Sequence, residues 1–282
     1  EIKVDLAPLR RLMRLLGPNW DYFVTDVSDH EGGNHERMAF VYNTNTLFFR
    51  NLIGEIVIRS DVLSTGLQIA RSPFFAAFQA GWFRFTLVSS HIVFGESDED
   101  GLALRAEEIG AISRAIVRRA RREDQVYIFL GDMNIDSPDG VVMQALHEGG
   151  LQVPEFGPTN LGGDRFYDQI AFTVRGEDMT RRTRLLRSGT FDWRPSIFGP
   201  AAHDPGAAPD PDGITRLSDA AHLAHYEPIV TAWRARHGKG PYASFASMYR
   251  RWMSNEMSDH LPVWVELETD YSDEYLAKIV AR

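Results

Sequence analysis

The chain has 282 residues, with 39 acidic side chains against 30 basic ones, a net charge of −9 and a pI near 5.5. At 44% hydrophobic and 24% charged it is an ordinary globular composition with room for a sizeable core, and the absence of cysteine excludes disulfides and thiolate metal sites. No apolar run approaches the roughly 20 residues of a membrane span, and the acidic balance argues against a strongly basic nucleic-acid coat protein while leaving room for a local phosphate-binding cleft.

The chain opens at Glu1, not at a methionine, and shows no charged segment followed by an apolar stretch; targeting is unreadable from such a start, and a soluble protein is expected, with a cytoplasmic one the default. Val4 to Leu16 carries apolar residues at helical spacing and stops at Gly17-Pro18. A short strand is expected at Tyr22 to Val27, a turn-rich loop at Asp29 to His35 and a buried strand at Arg37 to Tyr42, with one or two more strands over Leu47 to Ile58. Phe74 to Gln79 and Trp82 to Ser89 read as a hairpin closed near Ala80-Gly81. Gly101 to Arg122 is the clearest helix, its inner face being Leu104, Glu108, Ile112, Ala115 and Ile116 and its outer face Arg114, Arg118, Arg121 and Arg122. Val126 to Leu130 has the continuous apolarity of a strand buried on both faces. A short helix at Gly140 to His147 and a strand at Phe166 to Val174 follow. Gly199 to Gly213 is low in complexity and predicts a surface loop. Helices are expected near Asp219 to His237 and Tyr242 to Ser254, then a strand at Leu261 to Leu267 and a helix at Tyr271 to Val280. Strands alternating with helices predict an α/β sandwich. With no convincing linker, residues 1–282 read as one domain with an elaborated insertion at about 183–255.

Polar residues collect at the ends of the apolar strands, where catalytic groups commonly sit. Gly131-Asp132-Met133-Asn134 follows the buried strand. The glycine permits a sharp turn, and Asp132 and Asn134, two apart, share a face of extended backbone. The carboxylate can orient or deprotonate a water and the amide can donate to a phosphate oxygen, although an Asp/Asn turn explains the same residues. Ser258-Asp259-His260 precedes the last strand, and a histidine held by a carboxylate can bind a transferring phosphate as imidazolium; a capped strand start is the plain alternative. His91 ends the strand FRFTLVSSH. Asp168 interrupts the run FYDQIAF and Glu36 stands just ahead of RMAFVY, so both carboxylates call for partners, with histidine the natural one. Glu1 precedes an amphipathic helix.

Taken in order, Glu1-Ile2, Glu36-Arg37, His91, Gly131-Asp132-Met133-Asn134, Tyr167-Asp168 and Ser258-Asp259-His260 resemble the endonuclease/exonuclease/phosphatase superfamily, which includes the DNase I-like and exonuclease III-like enzymes. The resemblance spans nearly the whole chain. It implies a four-layer α/β sandwich with two mixed β-sheets packed face to face and helices outside. It also implies a further strand ahead of Glu1, ending in asparagine, with glutamine just before Glu1. By the same resemblance Glu1 is a direct ligand of a divalent metal, Asp259 a direct or water-mediated one, and His260 the catalytic histidine oriented by Asp168. Asp132 aligns or activates the attacking water, Asn134 contacts the scissile phosphate, His91 is the second histidine and Glu36 its carboxylate partner. Arg37 occupies the place of that branch's Glu-Arg pair.

The function so implied is a divalent-metal-dependent phosphodiesterase, a nuclease hydrolysing DNA or RNA by in-line water attack, with Mg²⁺ as cofactor and Mn²⁺ or Ca²⁺ as alternatives. A metal-dependent phosphomonoesterase acting on a phosphorylated lipid, sugar or nucleotide, and a catalytically silent binding module, are the competing readings. Only Lys3, Lys239 and Lys278 are lysines, so arginine supplies the phosphate-matching charge. Arg250 and Arg251 are the favoured backbone contacts with nucleic acid. Phe245, Tyr249 and Trp252 beside them either stack on bases or cover the edge of the sandwich.

Overall fold

The computed structural model describes residues 2–27, 35–66, 68–69, 71–173, 184–199, 217, 220–237, 241–270 and 272–280. The chain divides into two compact units, the first made of residues 1–157, 164–189 and 263–282, the second of 158–163 and 190–262. The expected surface loop at 199–213 and most of the loop at 29–35 lie outside the described residues.

The first unit is an α/β sandwich. In chain order it contains α1 (Ala7–Leu16), β1 (Trp20–Val24), β2 (Ala39–Asn43), β3 (Phe48–Glu55), β4 (Phe74–Ala80), β5 (Phe83–Ser89), α2 (Glu99–Glu123), β6 (Val126–Asp132), α3 (Val141–Glu148), β7 (Leu151–Gln152), β8 (Asp168–Thr173) and β9 (Arg184–Thr190), then β10 (Val263–Glu268) after the second unit. A final helix, Ser272–Val280, ends the chain. The main sheet has six strands in the order β3-β4-β5-β6-β8-β7, while β1 pairs with β2 and β9 with β10. It is a mixed sheet: β5 and β6 run parallel, and the other neighbours run antiparallel.

The alternation of side chains along each strand builds two cores, one on either face of this sheet. Phe75, Val88, Tyr127, Phe129 and Ala171 face Ile109, Ile112 and Ile116 of α2. Phe74, Phe78, Phe85, Ile128 and Phe172 face the other way and meet Phe40 and Tyr42 of β2, with Val263 and Val265 of β10 packed beside them. The run from Val126 to Phe129 is thus buried on both sides, as its apolarity predicts. The hairpin closes as expected: Ala80 pairs with Phe83, and Gly81 supplies the positive φ of 54° in the two-residue turn.

Three expectations need correction. Leu104 is not on the inner face of α2 but 47% exposed, whereas the inner stripe is Arg105, Ile109, Ile112 and Ile116. A charged residue therefore occupies a position where periodicity predicted an apolar one. In α1 and its N-cap, Leu9 is buried and Leu6, Met13 and Leu16 are half-buried, while Leu12 is 44% exposed, so the apolar face keeps its helical spacing but leaves Leu12 out. Residues 184–190, read as part of the insertion, form β9; its sequence RLLRSGT lacks a buried face, and its arginines pair across to Glu266 and Glu268 of β10.

The second unit holds α4 (Arg194–Phe198), α5 (Ala220–His237) and α6 (Phe245–Glu256). Its core is aromatic: Trp193, Phe198, Tyr226, Trp233, Tyr249 and Trp252 are all buried.

One backbone contact positions the end of β6. A Cβ on Gly131 would fall 2.0 Å from the carbonyl oxygen of Ser90, and its φ is +140°. Any side chain there forces β5 and β6 apart. Gly131→Ala is expected to cost about 2–3 kcal/mol and to lower Tm by about 5–10 °C in a calorimetric melt; an unchanged Tm would rule out so close an approach.

Candidate active site

The parallel ladder of β5 and β6 continues beyond the end of β5. Ser90 N–H donates to Leu130 O at 3.1 Å, and Ile92 N–H to Asp132 O at 2.9 Å. His91 is thereby laid beside Asp132. Its Nδ1 is 3.2 Å from Glu36 Oε2 and its Nε2 3.6 Å from Asp132 Oδ2. Glu36 arrives from the segment before β2, which is tied to the chain start by the reciprocal hydrogen bonds of Ile2 and Arg37. The Glu36 carboxylate is buried and also meets Lys3 and, at 3.7 Å, the buried guanidinium of Arg71. Arg71 Nη1 donates to His91 O at 3.1 Å.

Burial pushes the His91 imidazolium below its ordinary pKa, and the nearby Arg71 cation pushes the same way against the carboxylates of Asp132 and Glu36. A neutral ring carries one proton. With Nδ1 facing Glu36, the ring turns Nε2 towards Asp132.

Asp132 pairs in register with Asp168 of β8. Side chains at directly opposed positions of an antiparallel pair share a face, and two like charges there are destabilising without a cation. Asp132 Oδ1 accepts the backbone N–H of Asn134 at 2.9 Å. Asn134 adopts a left-handed conformation, φ +51°, which asparagine tolerates better than most residues. Its Nδ2 donates to Ile92 O at 2.7 Å. The second amide hydrogen remains to be used. Its carbonyl accepts Nη1 of Arg105 at 2.8 Å. Arg105 is 2% exposed, and its guanidinium lies 4.7 Å from the Phe94 ring centroid. Phe94 in turn meets the Tyr167 ring edge-on.

Glu1 lies outside the described residues. Arg37 is turned to Thr25 O at 2.8 Å and to Asp26 at 3.3 Å. Asp259 and His260 belong to the second unit, where the His260 N–H donates to Ser258 Oγ, its carbonyl accepts Trp193 Nε1 and its backbone bridges to Asn160. Arg250 and Arg251 are exposed on α6. Tyr249 and Trp252 are buried on that helix, so covering a core, not stacking on bases, is what they do here.

Arg71 and Arg105 were missed as site residues. Their signals were a cation just ahead of the apolar run PFFAAF and a cation four residues before Ile109 on the inner face of α2.

No family model and no curated protein matches the chain. Among solved structures, an endonuclease/exonuclease/phosphatase family protein from Bacteroides thetaiotaomicron shares the fold at 16% identity, covering 93% of this chain and 80% of that one with a TM-score of 0.50. A mannosyl-6-phosphatase from the same organism aligns over 64% of this chain and 70% of its own at 17% identity and TM-score 0.47. The human Nocturnin catalytic domain aligns over 66% and 67% at 11% identity and TM-score 0.42. The chain therefore has the fold of endonuclease/exonuclease/phosphatase proteins.

Burial also pushes the carboxyl of Glu108 up from 4.5 to about 7, with Arg71 pulling weakly the other way. The folded state thus holds a proton that the unfolded chain releases near pH 4.5. The sign follows: stability falls as pH rises from about 4.5, and the loss is complete above about 7. Glu108→Gln, which removes this titration, is expected to be more stable than the parent by up to about 3 kcal/mol at pH 8 and by little at pH 4, read by urea unfolding at both pH values. Equal differences at the two pH values would contradict the assignment.

Proposed function

We propose that the chain is a divalent-metal-dependent phosphodiesterase acting on nucleic acid. The observation that carries this reading is the line Glu36–His91–Asp132, with contacts of 3.2 and 3.6 Å, set beside the register-opposed Asp168. Two aspartates on one face offer the hard oxygen donors that Mg²⁺, Mn²⁺ or Ca²⁺ takes. When bound, such an ion offsets charge on the nonbridging phosphate oxygens.

The chain's own groups supply the rest. Asp132 orients the attacking water and accepts its proton. Glu36 faces His91 Nδ1 and orients the ring, so that Nε2, turned towards Asp132, takes up that proton in turn. Asn134 presents its second amide hydrogen to a phosphate oxygen. Its left-handed backbone is held at the N–H by Asp132 and at the carbonyl by Arg105. The new O–P bond forms as the bond to the leaving alcohol breaks, in line. The roles that the family resemblance gives to Asp259 as metal ligand and His260 as imidazolium belong to the same reading. Exposed Arg250 and Arg251 favour an extended polyanion over a small phosphoester.

The test is cleavage of supercoiled plasmid, RNA and p-nitrophenyl phosphate in Mg²⁺ and in EDTA. Plasmid or RNA cleavage that EDTA abolishes is expected. Asp132→Asn, His91→Ala and His260→Ala are each expected to lower kcat by about 10²–10³. Phosphate release from the monoester alone would transfer the reading to a phosphatase, and cleavage undiminished in Asp132→Asn would end the mechanism.

A further inference from the structure

A cavity of about 500 Å³ opens between the start of α2, the residues Leu63, Thr65, Gln68 and Ile69, and the segment 93–96. Its size is that of a small-molecule site. Leu63, Ile69, Phe94 and Leu104 make it largely apolar. Its charge is one-sided: five carboxylates line it, and the only cationic side chain in the lining is Arg105. That guanidinium is already engaged by Asn134 O and the Phe94 ring.

The helix terminus accounts for part of the acidity. Asp98 caps the Gly101 N–H, and Asp100 sits in the first turn, where negative charge complements the helix dipole. Glu107 is occupied by the N–H and hydroxyl of Ser64. Glu108, more than two turns into α2, has neither explanation. It lines the cavity, and its buried Oε1 has no hydrogen-bond partner. An ionised carboxylate in apolar surroundings is stabilised by an opposite charge with N–H donors. The half-exposed Phe94 ring, 38% accessible, adds a face that attracts cations.

We propose that this cavity binds a small organic cation: an apolar body carrying one ammonium group, which pairs with Glu108. Anionic ligands are excluded by the five carboxylates, and bare metal ions by the apolar walls. The inference does not rest on the phosphodiesterase reading, because binding is measured without turnover.

The experiment is calorimetric titration of the full chain at pH 8 in EDTA with 2-phenylethylammonium. Neutral 3-phenylpropan-1-ol and anionic 3-phenylpropionate serve as comparators. The ammonium is expected to bind at least about tenfold more tightly than the alcohol, and the carboxylate not to bind. Glu108→Gln should remove that tenfold preference while leaving the alcohol's affinity unchanged. Leu104→Trp, which fills the exposed mouth, should abolish binding of both. Asp132→Asn should change nothing, which separates this cavity from the catalytic carboxylates. Equal binding of alcohol and ammonium, a preference that survives Glu108→Gln, loss of binding in Asp132→Asn, or no binding of the ammonium at about 10 mM would each overturn the proposal.

Discussion

The parallel ladder between β5 and β6 runs three residues past the end of β5, to Ile92, and the candidate site depends on that extension. Ser90 and Ile92 donate to Leu130 and Asp132, so His91 is carried by a hydrogen-bonded backbone into the plane of Asp132. The extension is possible because position 131 has no Cβ to strike the Ser90 carbonyl. With Gly131 in place, the chain can turn at Met133, whose N–H reaches Tyr167 O. It can then present Asn134 in a left-handed conformation that Asp132 itself stabilises. A steric fact about one residue thus determines where three polar side chains stand.

Charge follows the same logic from the inside outward. Arg71 and Arg105 are buried to 6% and 2% exposure, a costly position for a guanidinium unless its donors are used. Arg71 donates to His91 O and pairs by charge with Glu36, and Arg105 donates to Asn134 O, Glu96 O and Asp136. Neither arginine is aimed at solvent. They serve as internal struts for the carboxylate cluster. The chain's net charge of −9 is therefore no guide to the sign of its interior: cations hold the scaffold, and Asp132 and Asp168 stand opposite each other beside them.

Much of this was legible in the residues. The hairpin around Gly81, the doubly buried β6 and the long α2 follow from period and turn chemistry, because each has an uninterrupted pattern. GDMN and the His91 strand end were visible as polar residues at abrupt ends of apolar runs. What escaped was whatever depended on distant partners. The sequence RLLRSGT became β9 because Glu266 and Glu268 lie across from its arginines, and nothing local announces that pairing. Arg105 stands inside in place of the expected Leu104, where its guanidinium meets the Asn134 carbonyl 29 residues away. Tyr249 and Trp252 left both of their readings open in the sequence, and only the aromatic core of the second unit decided between them.

Arg105 also joins two features that a one-dimensional reading keeps apart. One end of its guanidinium fixes the carbonyl of Asn134, and its plane lies against Phe94, a wall of the α2 cavity. Phe94 meets Tyr167, the residue before Asp168. A ligand that pressed on Phe94 would thus bear on the backbone at both Asn134 and Asp168. Such a link transmits an effect only if the ligand favours one of two arrangements of that ring. The cavity and the carboxylate cluster consequently share struts while each keeps its own lining.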